Sequence, residues 1–247
     1  MDFNIIFVAL FGASFGSFMN VLIYRIPNGV SMLEPYSSCP SCKNNLKFYH
    51  NIPILSYIFL RASCGFCKSK ISFVYPLVEL AGIVLFCFLY IKTDDFMSTL
   101  IMGNMFLLLL GLSIIDFRFK AVPDSMNLLA LLLAVFSYGT ELLVFNLINA
   151  LLFIGGFCLL RFIVSYFKKQ ESMGEADIII AGTIGAVLGV KLGLVAIVLS
   201  SVLALIAFVF VAKKDYELPY VPFLSLAMLL VYIYQKQFLI LIEYLYA

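Results

Sequence analysis

Charge and histidine are what this chain of 247 residues has least of: charged residues make up 12% and there is one histidine, His50. With 64% hydrophobic residues and a mean hydropathy of +1.08, so little charge excludes an ordinary soluble domain and points to a polytopic membrane protein. A net charge of +2 with no acidic or basic tail excludes nucleic acid as a partner and leaves membrane lipid as the surroundings. A lone histidine leaves no serine or cysteine nucleophile a second place to find an imidazole, which argues against Ser-His and Cys-His hydrolysis. His50, in Y-H-N-I-P, reads as a hydrogen-bonding loop residue. No repeat of fixed period and no low-complexity stretch is visible. No basic residue precedes the first apolar run, so that run reads as a mature span and not as a signal peptide.

What is there is a series of apolar runs. Phe3–Tyr24, Val74–Ile91, Phe96–Ile115, Met126–Phe145, Leu147–Phe167, Ile178–Val190, Leu192–Ala212 and one span within Pro219–Tyr246 predict an all-α fold of about eight transmembrane helices. The sixth is short and glycine-rich, with Gly182, Gly185 and Gly189 placed for close helix approach or simple packing. Between the first two runs lies a polar connection, residues 25–73, that carries Arg25, Lys43, Lys47, Arg61, Lys68 and Lys70 against the single acid Glu34. The excess of basic residues places this loop in the cytoplasm, and alternation places Arg118, Lys120, Lys168, Lys169, Lys213 and Lys214 on the same side. The expected division is a first helix over 1–24, a cytoplasmic loop over 25–73 and a membrane core over 74–247.

That orientation brings two acids to one face. Asp116 ends the third span and Asp177 begins the sixth, with two complete spans between them. Two carboxylates on one side suit acid–base catalysis, in which one acts as base on water and the other as acid on a carbonyl. Each can equally cap a helix or pair with a neighbouring base such as Arg118. Asp124, eight residues past Asp116, competes for the first role, and Glu175 reads as a solvated neighbour of Asp177.

Of six cysteines, Cys87 and Cys158 lie inside apolar runs and read as packing residues. Cys39 and Cys42 form one C-x-x-C, and Cys64 and Cys67 form another after 21 residues. Four thiolates at this spacing suit a tetrahedral structural zinc with no open position. A redox or disulfide role is the alternative, which a cytoplasmic location disfavours.

The motifs in order resemble those of the bacterial type IV prepilin peptidases, polytopic aspartic proteases that also serve type II secretion and competence. They are G-S-F-M-N-V-L-I-Y-R-I-P at Gly16–Pro27, the two cysteine pairs, N-I-P-I-L-S-Y at Asn51–Tyr57 and Y-P-L-V-E-L at Tyr75–Leu80. I-D-F-R-F-K-A-V-P-D at Ile115–Asp124, M-G-E-A-D at Met173–Asp177 and P-Y-V-P-F-L at Pro219–Leu224 complete the set. The resemblance implies catalysis by Asp116 and Asp177, choosing Asp116 over Asp124. It implies prepilin or pseudopilin substrates, cut after a short basic leader on the cytoplasmic side of the inner membrane. It further implies N-methylation of the new terminus with S-adenosylmethionine as donor, through cofactor-binding residues that the motifs do not identify.

Three positions depart from the family pattern. The family's G-x-G-D reads Gly174-Glu175-Ala176-Asp177, the lysine common two places later is Ile179, and a glycine associated with methyl transfer is Ala62. Two other readings stand beside the peptidase. One is a proton- or cation-coupled transporter with a regulatory zinc loop, for which Glu79 is the single mid-span acid. The other is a methyltransferase or scaffold that would tolerate loss of either aspartate.

Overall fold

The structure, a computed structural model, describes residues 3–31, 37–169, 174–211 and 218–246. Glu34, Met173, Ala212, Lys213 and Lys214, named above, lie outside the described residues. Among the described residues there is no strand, only the single bridges Ser38–Asn45 and Ser63–Lys70, so the chain is all-α. The helices are α1 (Phe3–Arg25), α2 (Leu55–Phe59), α3 (Val74–Thr93), α4 (Phe96–Phe119), α5 (Asp124–Val135), α6 (Leu143–Lys168), α7 (Glu175–Val211), α8 (Val221–Ile233) and α9 (Gln235–Tyr246).

Five of these, α1, α3, α4, α6 and α7, are long and apolar enough to cross a membrane, and the count is six when α8 and α9 are taken as one bent span. That tally takes α7 as one helix although it holds two of the eight expected apolar runs; each of the eight runs carries a helix, but their lengths are unequal. The fourth expected span shrinks to the 12 residues of α5, about 18 Å of helix, because the chain turns through Phe136 and Gly139, the latter at φ +77°. The eighth is broken by an 83° bend between α8 and α9.

The sixth and seventh expected spans are joined in α7, but Gly189 interrupts it with φ 66° and ψ −174°, a conformation open essentially only to glycine. Two contacts show that the chain doubles back there. A Cβ on Gly185 or on Gly193 would meet the same Phe153 ring of α6, at 2.6 and 2.5 Å, although a straight helix would hold those positions about 12 Å apart. Tyr220 lines a cavity with Asp177 while its hydroxyl lies 2.8 Å from Ser200 Oγ, a residue that a straight helix would carry about 35 Å from Asp177. Gly182 and Gly185 serve close packing, against Ile154 and Phe153, whereas Gly189 faces no side chain and serves the break.

The chain divides into two compact units, Met1–Leu107 and Leu108–Ala247. In the first, α1 and α3 pack antiparallel along small residues. A Cβ on Gly12 would lie 2.5 Å from the Gly82 carbonyl oxygen, and one on Gly16 would lie 2.8 Å from Glu79 Cα. Backbones this close are what small residues permit between membrane helices. Buried Asn20 adds a hydrogen bond from Nδ2 to the Tyr75 carbonyl at 3.0 Å. In the second unit, α7 is central and packs on α5, α6 and α8.

Candidate active site and metal centre

The second unit holds one polar cavity of about 390 Å³ at the shared end of four helices. The end of α4 contributes Asp116, and Lys120 follows it in a left-handed conformation (φ 51°) whose N–H donates to the Asp116 carbonyl at 2.9 Å, closing the helix. Ala121, Val122 and Asp124 line the wall leading into α5. Gly174, Glu175, Ala176 and Asp177 open α7, and Leu218, Pro219, Tyr220 and Val221 open α8. Apolar helices must end where polar backbone can be satisfied, and three of these helices begin here, with their positive dipole ends towards the two aspartates.

Asp116 is buried, and its Oδ2 accepts the backbone N–H of Val221 at 3.3 Å, a donor that the first turn of α8 leaves without a helical partner. Asp177 sits in the first turn of α7, half-buried, with its carboxylate hydrogen-bonded by the backbone of Gly174. A Cβ on Gly174 would lie 3.4 Å from Asp177 Oδ2. The two expected carboxylates therefore share one cavity. Asp124 reaches the same cavity but is exposed, at the first residue of α5. Glu175 is exposed as expected, and its Oε1 accepts from Arg161 Nη1 of α6 at 3.2 Å.

Ala176 lies in the helical first turn of α7 and is not among the residues with positive φ. The alanine in place of glycine thus brings no backbone strain there. Its carbonyl accepts from Nδ2 of Asn127 at 3.0 Å, a fully buried α5 side chain whose Oδ1 has no protein partner. Asn127, Tyr220 and Val221 were not singled out by sequence reasoning. The available signals were an amide inside the apolar run M-N-L-L and the motif P-Y-V-P-F-L, whose role the sequence left blank.

In the first unit the four expected cysteines converge. The sulfur atoms of Cys39, Cys42, Cys64 and Cys67 all lie within 4.8 Å of one another, with Cys39 and Cys67 at 3.9 Å. Each pair is built the same way, shifted by 25 positions. Lys43 N–H donates to the Cys39 carbonyl at 2.8 Å and Lys68 N–H to that of Cys64 at 3.0 Å, with both lysines left-handed at φ 58° and 61°. Cys39 N–H donates to the Asn44 carbonyl and Cys64 N–H to that of Ser69. Backbone N–H groups of Cys42 and Ser41 and the Ser69 hydroxyl pull the Cys39 thiol down to about 6 against its burial. The Ser69 hydroxyl and backbone lower Cys67 as well, while Cys42, despite the Asn44 backbone, is pushed up to about 11 by desolvation and the neighbouring thiols. Four converging sulfurs, two of them drawn towards thiolate, fit a Cys₄ metal ion. His50 is not part of the cluster: its Nδ1 accepts the Lys47 N–H at 3.4 Å and its ring packs edge-on against Phe66.

Comparison with known proteins matches residues 10–93 to the bacterial peptidase A24 N-terminal domain and residues 103–209 to the type IV leader peptidase family. The prepilin leader peptidase/N-methyltransferase of Vibrio cholerae is 30% identical over 221 residues, covering 84% of this chain and 86% of the relative. The protein of the same name from Neisseria gonorrhoeae is 29% identical over 242 residues, covering 83% and 81%, and that of Bacillus subtilis is 29% identical over 236 residues, covering 91% and 92%. No solved structure matches the chain.

Proposed function

Because the chain belongs to the type IV leader peptidase family, we propose that it removes the leader of prepilins or pseudopilins with Asp116 and Asp177 as its catalytic pair, and then N-methylates the new amino terminus. The observation that carries this reading is the placement of both carboxylates in one cavity of the second unit. One carboxylate, ionised, takes a proton from water as the water oxygen attacks the scissile carbonyl carbon, while the other, protonated, gives its proton to the carbonyl oxygen. When the tetrahedral intermediate collapses, the pair gives a proton to the leaving nitrogen, the C–N bond breaks, and one hydroxyl of the intermediate returns its proton to the pair as the carbonyl re-forms. The leader leaves with a carboxyl end, the product with an amine, and the pair again holds one proton. The Val221 N–H holds the Asp116 carboxylate in place. Asp124, exposed at the rim, is left out of the pair.

The excess of basic residues in the loop over 25–73 supports an inner-membrane protein whose loop and cavity face the cytoplasm. In this reading the core over 74–247 houses the cleavage chemistry. Cys39, Cys42, Cys64 and Cys67 would hold a structural zinc, which supplies folding energy to a loop with little apolar core and leaves no open position for catalysis. S-adenosylmethionine would serve as methyl donor. The transporter reading finds no support, because its mid-span acid, Glu79, is engaged by a backbone N–H of the loop. The test is to incubate the purified chain in liposomes with a prepilin and S-adenosylmethionine and to weigh the pilin product. A shortened pilin with a methylated terminus is expected; an intact prepilin overturns the reading.

A further inference from the structure

The motif Pro219–Leu224 opens α8 at the cleavage cavity, and its Tyr220 is the N-cap residue of that helix. The Tyr220 carbonyl accepts the N–H groups of Phe223 and Leu224 at 3.0 and 3.2 Å, and the next residue, Val221, donates its N–H to Asp116. The Tyr220 side chain makes no capping bond to its own helix. Its hydroxyl turns to α7 instead, 2.8 Å from Ser200 Oγ and 3.2 Å from Ser201 Oγ. Both serine hydroxyls lie within donating distance of the Ile197 carbonyl, at 2.7 and 3.0 Å, which leaves the Tyr220 O–H as the donor between them.

The serines reach this place because α7 doubles back. Asp177 lies 12 positions before Gly189 and Ser200 lies 11 after it, so two arms of about 17 Å return Ser200 to the level of Asp177. Ser200 is fully buried there, and Tyr220 is half-buried where it lines the cavity. Pro219 and Pro222 flank Tyr220 and Val221 and restrict the backbone on both sides. The tyrosine side chain and the Val221 N–H are therefore placed together, and a grip on one fixes the other. Every residue from Ile197 through Tyr220 and Val221 to Asp116 belongs to the second unit.

We propose that Tyr220 is a positioning residue for leader cleavage, whose hydroxyl clasps Ser200 and Ser201 on the returning arm of α7 and so holds the Val221 N–H on Asp116. This role rests on the reading above that Asp116 is one of the catalytic pair. The clasp acts on the carboxylate through the backbone at the start of α8, not on the substrate. The Val221–Asp116 bond is already 3.3 Å long, so it is the contact that a loosened α8 loses first. Misplacing a catalytic group by about 1 Å can cost up to about a hundredfold in rate.

The test uses the full-length chain in liposomes and measures kcat and KM for leader removal from a prepilin, with the folded fraction of each preparation determined alongside. Tyr220→Phe deletes only the hydroxyl, and Ser200→Ala with Ser201→Ala deletes both of its acceptors. Each change is expected to lower kcat about tenfold with KM within about twofold, the pattern of a misplaced catalytic group and not of lost substrate binding. The two changes break the same bond, so the triple variant should fall no more than about threefold below either one. Threonine at the exposed position 201 returns one hydroxyl, so Ser200→Ala with Ser201→Thr should regain at least about threefold over the two-alanine variant. A role in stability alone would lower the folded fraction and leave kcat per folded molecule unchanged.

The proposal is overturned if Tyr220→Phe keeps the wild-type kcat per folded molecule, if its loss lies in KM, if the losses multiply in the triple variant, or if threonine at 201 restores nothing. Wild-type protein that cleaves while Tyr220→Phe is unaffected overturns this proposal alone. Wild-type protein that leaves the prepilin intact overturns the peptidase reading, and the proposal with it. Should the triple variant not fold, the comparison of Tyr220→Phe with the two-alanine variant decides: equal losses in kcat support the clasp, and unequal losses overturn it.

Discussion

Asn127 donates from Nδ2 to the carbonyl oxygen of Ala176 at 3.0 Å, tying the first turn of α5 to the residue that precedes Asp177 on α7. The Asn127 side chain is fully buried, so removing its amide leaves the Ala176 carbonyl without this donor beside Asp177. Asn127→Leu should cost about 1–3 kcal/mol and lower the rate of leader cleavage about tenfold, with the loss in kcat. Steady-state kinetics with a thermal unfolding midpoint measured alongside checks this; unchanged kcat would mean that Asp177 is positioned without Asn127.

The two alanines that replace family glycines stand in opposite conformations, and opposite effects follow on restoring glycine. Ala176 is helical, so Ala176→Gly should destabilise by about 0.5–1 kcal/mol, the usual cost of glycine in a helix, and leave cleavage in place. Ala62 is left-handed at φ 56°, where a Cβ costs about 1–2 kcal/mol, so Ala62→Gly should stabilise the loop. Unfolding midpoints of the two variants, compared with wild type, should move in opposite directions.

This contrast marks what could be read from the chain and what could not. Apolar runs and charge asymmetry were enough for an all-α membrane fold, and the motifs singled out Asp116 and Asp177, which the fold brings into one cavity. The four cysteines were legible because ligand spacing is a local property, and they do converge. Backbone conformation was not legible. Ala62 and Ala176 look alike in sequence, and only φ separates strain from comfort. Gly189 read as one more small packing residue, because reversal of α7 depends on Gly185 and Gly193 meeting one Phe153 ring across space. Asn127 was hidden for a related reason: its partner is a backbone carbonyl 49 positions away, a contact that leaves no trace in residue type.

Gly189 should tolerate no side chain. At φ 66° and ψ −174° any Cβ is strained even though no neighbour stands in its way. Gly189→Ala should destabilise by about 1–3 kcal/mol, and the effect should be backbone strain alone, so Gly189→Ala and Gly189→Ser should lose similar amounts. Chemical unfolding in detergent checks this; a tolerated alanine would contradict the reversal of α7 at this position.

The cysteine cluster should carry one zinc per chain. Cys39→Ser, Cys42→Ser, Cys64→Ser or Cys67→Ser should each lose the metal and expose the loop to trypsin at Lys47 and Arg61, because the loop has few buried apolar residues to fold around. Cys87→Ser and Cys158→Ser should keep it. Elemental analysis of protein purified without chelator is the measurement; wild-type protein with no metal and four free thiols in the loop would contradict the reading.

The central claim is that Asp116 and Asp177 act as one catalytic pair. The most direct measurement is the rate of leader removal from a prepilin by Asp116→Asn, Asp177→Asn and Asp124→Asn, each assayed beside wild type in the same membranes. Loss of either member of an acid–base pair should slow cleavage by at least about a hundredfold, and loss of the rim residue Asp124 should leave it within about threefold. Processing that survives in both Asp116→Asn and Asp177→Asn, or that fails only in Asp124→Asn, would contradict the account.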